Sequence, residues 1–249
     1  MVERNLAKVD VAGSTPVSRS IFLSMKNYTY KAVIFDLDGT LIDSMHIWRQ
    51  VDREFLGKRG IGVPEDLFAH MPLGNSYIQT AQYFKDRFSL PDSVESIMNE
   101  WTALVCRHYE SDIALKENVR DVIKWLADKN LSIGMGTSNS HDLAVAALRQ
   151  HSLLSFFQTI VTGCRELRGK PFPDIYLKAA QELETKPEEC IVIEDTLSGI
   201  RAANSAGMYS ISIYDSDSDD QRKDIIAESR FSALDYTEVL RHIKGLLNE

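Results

Sequence analysis

Val33-Ile34-Phe35-Asp36-Leu37-Asp38-Gly39-Thr40-Leu41 is the stretch on which the fold turns. An apolar run leads straight into two carboxylates, a glycine and a hydroxyl. A short segment that is apolar along its length suits a strand covered on both faces of a parallel sheet. Gly39 lets the chain turn sharply away from that strand. Two carboxylates this close raise each other's pKa unless a cation or a second function compensates. One can then act as nucleophile and the other as acid/base, with a divalent ion between them. The same residues also suit an ordinary Asp- and Gly-rich turn, so the decision rests on the rest of the chain.

Outward from this segment, residues 131–135, 159–161, 191–193 and 210–213 read as further strands, and amphipathic helices lie between them. Val119, Val122, Ile123, Leu126 and Ala127 recur at helical spacing, and two more helices are expected over 174–183 and 198–206. Strands alternating with helices predict an α/β fold with a doubly wound, mainly parallel, Rossmann-like sheet. Residues 44–112 break the alternation. Ile47, Val51 and Phe55, then Ile78, Ala81, Phe84 and Phe88, then Val94, Ile97, Met98, Trp101, Leu104, Val105 and His108 trace helical faces. The expected organisation is an α/β core of residues 28–43 plus 113–249, an all-helical cap inserted as 44–112, and a dispensable extension at 1–24.

Ligands of open α/β sheets bind at the carboxyl ends of the strands, so the residues after each strand matter most. The second strand is followed by Gly136-Thr137-Ser138-Asn139-Ser140 ahead of a helix, where hydroxyls and free N–H groups make a phosphate-binding corner. The third is followed by Gly169-Lys170-Pro171-Phe172-Pro173-Asp174, which sets a lysine point charge between fixed backbone units. The fourth ends in Glu194-Asp195-Thr196. Acids at the end of an apolar strand are costly to bury without a partner, and a hard cation such as Mg²⁺ is the natural one. Capping by Ser140, Asp195 or Thr196 is compatible with each reading.

The order of these features on one rim is more specific than any of them alone. Together, the 33–41 segment, Gly136-Thr137-Ser138, Gly169-Lys170-Pro171 and Ile193-Glu194-Asp195 resemble the haloacid dehalogenase-like superfamily. The helical insert resembles the cap of the branch that contains β-phosphoglucomutase and many sugar-phosphate and nucleotide phosphatases. The resemblance implies Asp36 as the nucleophile and Asp38 as the general acid/base. It implies Thr137, Ser138 and Lys170 as phosphate-binding residues, and Asp36, Asp38 (through its carbonyl), Glu194 and Asp195 as Mg²⁺ ligands. Within that branch Thr40 matches the phosphatase form of the first motif, whereas the mutase has valine there. Trp48 stands where the mutase has a histidine, and no matching arginine occurs around Gly74-Asn75-Ser76.

Composition narrows the partners. The formal net charge of −8 and the lack of a long basic run disfavour nucleic acid and anionic membranes. No apolar run approaches the roughly 20 residues that span a bilayer. Cys106, Cys164 and Cys190 have no metal-ligand or redox spacing, as expected of packing residues in a reducing cytoplasm. Asp215, Asp217, Asp219 and Asp220 lack the glycine and glutamate of a calcium loop and read as a solvated loop. His46, Arg49, Gln50 and Arg53 read as a water-facing stripe. The expectation is a cytoplasmic, Mg²⁺-dependent phosphatase of a small phosphorylated metabolite, a sugar phosphate or nucleotide monophosphate, acting as a monomer or weak homodimer. Alternatives are a hexose-phosphate mutase, a carbon–halogen or carbon–phosphorus hydrolase (which Asp38 opposes), and an idle binding module (which the complete residue set opposes).

Overall fold

The computed structural model describes residues 30–69, 71, 76–163 and 167–249. The expectation for residues 1–24, like Cys164 and Gly74-Asn75, lies outside them. Six strands form one sheet: β1 (Ala32–Phe35), β2 (Ser132–Thr137), β3 (Thr159–Thr162), β4 (Cys190–Glu194), β5 (Tyr209–Ile213) and β6 (Phe231–Ala233). Their order is β3-β2-β1-β4-β5-β6, and every pairing is parallel. This is the doubly wound fold expected from the alternation of strands and helices. β6 was not expected. It is a three-residue edge strand with an exposed Ser232, too short and too mixed to show a period.

The apolar character of β1 has a direct structural cause. Val33 and Phe35 join the packed cluster on one face of the sheet, while Ala32 and Ile34 join the cluster on the other. The first face is covered by α4 (Val119–Asp128), α5 (His141–Gln150) and α9 (Tyr236–Leu246), through residues such as Val122, Leu143 and Val239. The second is covered by α6 (Asp174–Glu182) and α7 (Leu197–Ser205), through Ile175, Tyr176, Ala179, Ala202 and Ala203. A further helix, α8 (Arg222–Glu228), packs Ile225 against Leu197 and Ile200 of α7.

Between β1 and β2 the chain makes α1 (Met45–Gly57), α2 (Tyr77–Arg87), α3 (Val94–Arg107) and a π-helical turn, His108–Asp112. Ser76 begins α2 with a capping box: its side chain accepts from the Gln79 N–H, and the Gln79 side chain accepts from the Ser76 N–H. The insert leaves and re-enters the core side by side. The Asp43 N–H donates to the Ala114 carbonyl at 3.0 Å, and the Lys116 N–H donates to the Leu41 carbonyl at 2.9 Å. Its interior is aromatic. Phe84 sits edge-on to Phe55, Phe88, Tyr83 and Trp101, with ring centroids 4.9–6.3 Å apart. Arg59 closes one end by stacking over Phe55 at 3.8 Å and pairing with Asp92 and Glu100.

Because Phe84 is fully buried among those rings, Phe84→Ala is expected to lose both transfer free energy and packing, about 3–5 kcal/mol in all. Urea denaturation followed by tryptophan fluorescence measures it. A loss below about 1 kcal/mol would show that the aromatic interior collapses freely around the gap.

Candidate active site

The sheet order changes direction between β1 and β4, and the proposed chemistry of the sequence converges at that switch point. Phe35 pairs with Ile193, and the Asp36 N–H donates to the Ile193 carbonyl at 3.0 Å, so Asp36 and Glu194 leave neighbouring strands at the same level. Thr137 closes β2 on the other side of β1. Lys170 arrives from the segment between β3 and α6, with its side chain only 4% exposed.

Lys170 Nζ donates to Asp36 Oδ1 at 2.5 Å and to Glu194 Oε1 at 2.6 Å. Tyr176 of α6 also donates to Glu194 Oε1 at 3.2 Å. The other oxygen of Glu194 accepts from the Asp195 and Thr196 N–H groups, each at 2.7 Å, and from Thr196 Oγ1 at 2.9 Å. Donors therefore engage both oxygens of Glu194. This arrangement fixes Lys170 and shapes the turn into α7, whereas the sequence suggested a metal ligand. Gly199 is required by the same contact, since a Cβ there would lie 1.8 Å from Glu194 Oε1.

Asp195 is held differently. Thr40 Oγ1 donates to its Oδ1 at 2.7 Å, and Tyr236 anchors Thr40 by donating to the Thr40 carbonyl at 3.0 Å. Its Oδ2 lies against Gly39, where φ is +78° and a Cβ would stand 2.3 Å from that oxygen. Gly39 thus supplies both the left-handed turn and the close approach.

Charge is unbalanced here. Asp36, Glu194 and Asp195 are buried together with one ammonium, Lys170. If all are ionised, two negative charges remain uncompensated. Burial, with Glu194 and Asp38 nearby, pushes the Asp36 carboxyl up to about 7 despite the opposing attraction of Lys170. Burial, then Glu194 and Asp36, pushes the Asp195 carboxyl well above its usual range. Among the described residues no three His, Cys, Asp or Glu side chains converge as a ready-made metal cage. The donor set still suits a divalent ion of the Mg²⁺ type, which takes one or two carboxylates and completes its shell with water and phosphate oxygens.

Asp38 points to the insert. Its Oδ1 accepts from Ser44 Oγ at 2.6 Å, from Trp48 Nε1 at 3.3 Å and from the Tyr109 hydroxyl. Its Oδ2 accepts from Asn139 Nδ2 at 2.9 Å. Trp48 and Asn139 also donate to the Tyr109 hydroxyl, at 2.8 and 3.0 Å. Burial, followed by the charge of Asp38, pushes the Tyr109 phenol well above its usual range, so it remains a donor. Asn139 also donates its N–H to Thr137 Oγ1 at 3.1 Å.

All seven candidate residues (Asp36, Asp38, Thr137, Ser138, Lys170, Glu194 and Asp195) line one cavity of about 550 Å³. The insert contributes Trp48, Asp52, Tyr77 and Trp101 to it. Sequence reasoning missed Ser44, Tyr109, Asn139 and Tyr176 as site residues, and Trp48 as a ligand of Asp38. Asn139 lies inside the 136–140 motif, but Tyr109, 71 residues from Asp38, is indistinguishable in sequence from a core aromatic. Two expectations need correction. The acidic loop is not simply solvated: Asp215 is buried and pairs with Lys116 at 2.7 Å, while Asp217 pairs with Arg49. Arg49, exposed as expected of the polar stripe, nevertheless reaches the cavity.

Residues 33–213 match the family described as haloacid dehalogenase-like hydrolase. The chain belongs to that family. A phosphorylated carbohydrates phosphatase of Thermotoga maritima is 31% identical over 183 residues, covering 73% of this chain and 83% of its own. A β-phosphoglucomutase of Bacillus subtilis is 30% identical over 196 residues, covering 74% and 83%. Among solved structures, a haloacid dehalogenase-like hydrolase of Entamoeba histolytica superposes with a TM-score of 0.73 at 26% identity, covering 88% of this chain and all of that one. In this member of the family no helix among the described residues is long and apolar enough to cross a membrane.

The raised carboxyls fix the sign of a pH effect. A carboxyl whose pKa is higher in the folded state binds more protons there than in the unfolded chain, so stability falls as pH rises above about 4, for Asp36 through about 7 and for Asp195 in the same direction. Asp195→Asn removes one such charge and keeps an acceptor for Thr40. Without added metal it should melt several degrees higher than the parent at pH 8 and about the same at pH 4. Equal melting at pH 8 would show that the Asp195 carboxylate is already compensated.

Proposed function

We propose that this chain is a magnesium-dependent phosphatase of a small phosphorylated carbohydrate, working through an aspartyl-phosphate on Asp36, with residues 44–112 as a cap over the site. The observation that carries this reading is a buried carboxylate, Asp36, paired with Lys170 and set beside a second carboxylate, Asp38, that other residues orient. The Thermotoga relative supports the carbohydrate class.

The residues divide the reaction as follows. Lys170, with Thr137 and Ser138, holds the phosphate oxygens and places phosphorus in line with Asp36. An Asp36 oxygen forms a bond to phosphorus as the ester P–O bond breaks, and Asp38 gives its proton to the departing alcohol oxygen. Asp38, now a carboxylate, takes a proton from water as that water attacks phosphorus. The P–O bond to Asp36 breaks, phosphate leaves, and both carboxyls are restored. Asp36, Asp195 and the Asp38 carbonyl would hold Mg²⁺, which would supply the positive charge that the buried acids lack. Ser44, Trp48, Tyr109 and Asn139 position Asp38, and Glu194 positions Lys170.

A mutase is the second reading, favoured by the Bacillus relative. Trp48 opposes it. An indole N–H can only donate, and here it donates to Asp38 and Tyr109, so it cannot take up a proton as a histidine there could.

Phosphate release from a panel of sugar phosphates with Mg²⁺ tests the proposal. Asp36→Asn should abolish release in a folded protein, and EDTA should abolish it in the parent. Isomerisation of β-glucose 1-phosphate to glucose 6-phosphate with little free phosphate would establish the mutase instead. Tyr109→Phe, which removes one of the donors to Asp38, should lower kcat by about tenfold and shift the pH profile of kcat with little change in KM. Unchanged kcat and pH profile would remove Tyr109 from the positioning of the acid/base.

A further inference from the structure

The insert side of the cavity is aromatic, lined by Trp48, Tyr77 and Trp101, and it holds one carboxylate without a partner. Asp52 lies one helical turn beyond Trp48 on α1, so both project from the same face. Among the described residues Asp52 forms no hydrogen bond or ion pair, unlike Asp36, Asp38, Glu194 and Asp195, which all accept from protein donors. Burial pushes its carboxyl up to about 7, opposed only by neighbouring Arg53. Trp101, 3% exposed, closes that wall from behind.

Asp52 is half-buried at the cavity wall, so its oxygens are open to a donor that a ligand brings. In a carbohydrate ester that donor is a hydroxyl of the leaving group. The aromatic faces around Asp52 suit the C–H edges of the same ligand.

We propose that Asp52 is a specificity-determining residue, accepting a hydrogen bond from a hydroxyl of the substrate's leaving group. The inference rests on the phosphatase reading and adds the residue that selects a polyhydroxylated ester. Asp52 takes no part in phosphoryl transfer, so the effect belongs in substrate affinity.

The test uses the full chain with Mg²⁺ and three kinds of phosphomonoester: phenyl phosphate, which has no hydroxyl; a panel of hexose and hexitol phosphates; and 2-aminoethyl phosphate. Asp52→Leu should lower kcat/KM for the best hexose or hexitol phosphate by about 10–100-fold, chiefly through KM. Phenyl phosphate should stay within about threefold of the parent, and Asp52→Asn, which keeps an acceptor oxygen, should recover part of the loss. Equal losses on phenyl and sugar phosphates, no loss on either, or a loss confined to 2-aminoethyl phosphate would each overturn the proposal. So would failure of both variants to fold. Turnover of phenyl phosphate but of no hexose or hexitol phosphate would sink this inference and leave the phosphatase standing. Release from none of the three by the parent protein would sink both.

Discussion

One buried ammonium organises the rim of the candidate site. Lys170 bridges Asp36 and Glu194, which leave adjacent parallel strands, and so ties a loop beyond β3 to the centre of the sheet. Breaking a buried pair of this kind typically costs about 3–5 kcal/mol because a bare charge stays behind. Much of the surroundings follows from that contact. Tyr176 reaches from α6 to share Glu194, the first N–H groups after β4 bind its other oxygen, and Gly199 must lack a side chain to leave it room. The pair does not neutralise the site. Burial raises the carboxyls of Asp36 and Asp195, and ionising both would leave an excess of negative charge that costs stability unless a cation offsets it.

The second carboxylate answers to the insert. Donors from Ser44, Trp48 and Tyr109 hold one oxygen of Asp38, and Asn139 from the core holds the other. The insert joins the core through two chain segments paired beside Leu41 and Ala114. The position of Asp38 therefore depends on how the helices sit over the sheet. Trp48, which holds Asp38, and Asp52 share one face of α1, so the proposed acid/base placement and the proposed substrate contact depend on the same helix.

Much of this was legible in the sequence because it rests on local rules. Residues 32–35 read as a strand covered on both faces because they are apolar along their length, and both faces of β1 are buried. The gathering of the candidate residues in one cavity was legible because parallel topology puts the strand ends on one rim. What stayed hidden depends on pairings distant in sequence. Tyr109 looks like an ordinary core aromatic until the insert folds back. Glu194 looks like a metal ligand until Lys170 and the Thr196 hydroxyl are seen to occupy it. The acidic loop read as solvated because Lys116 and Arg49, its partners, lie about 100 and 170 residues away. β6 is too short to carry a period.

The central claim is that Asp36 receives the phosphoryl group. Slowing its hydrolysis by Asp38→Asn, mixing that variant with Mg²⁺ and a sugar-phosphate ester, and quenching in acid within the first turnover exposes the intermediate directly. Peptide mass spectrometry should then find phosphate on Asp36, at a level that rises with quench time and falls as free phosphate appears. Free phosphate formed at the single-turnover rate with Asp36 unmodified, or phosphate found on another residue, would contradict the account.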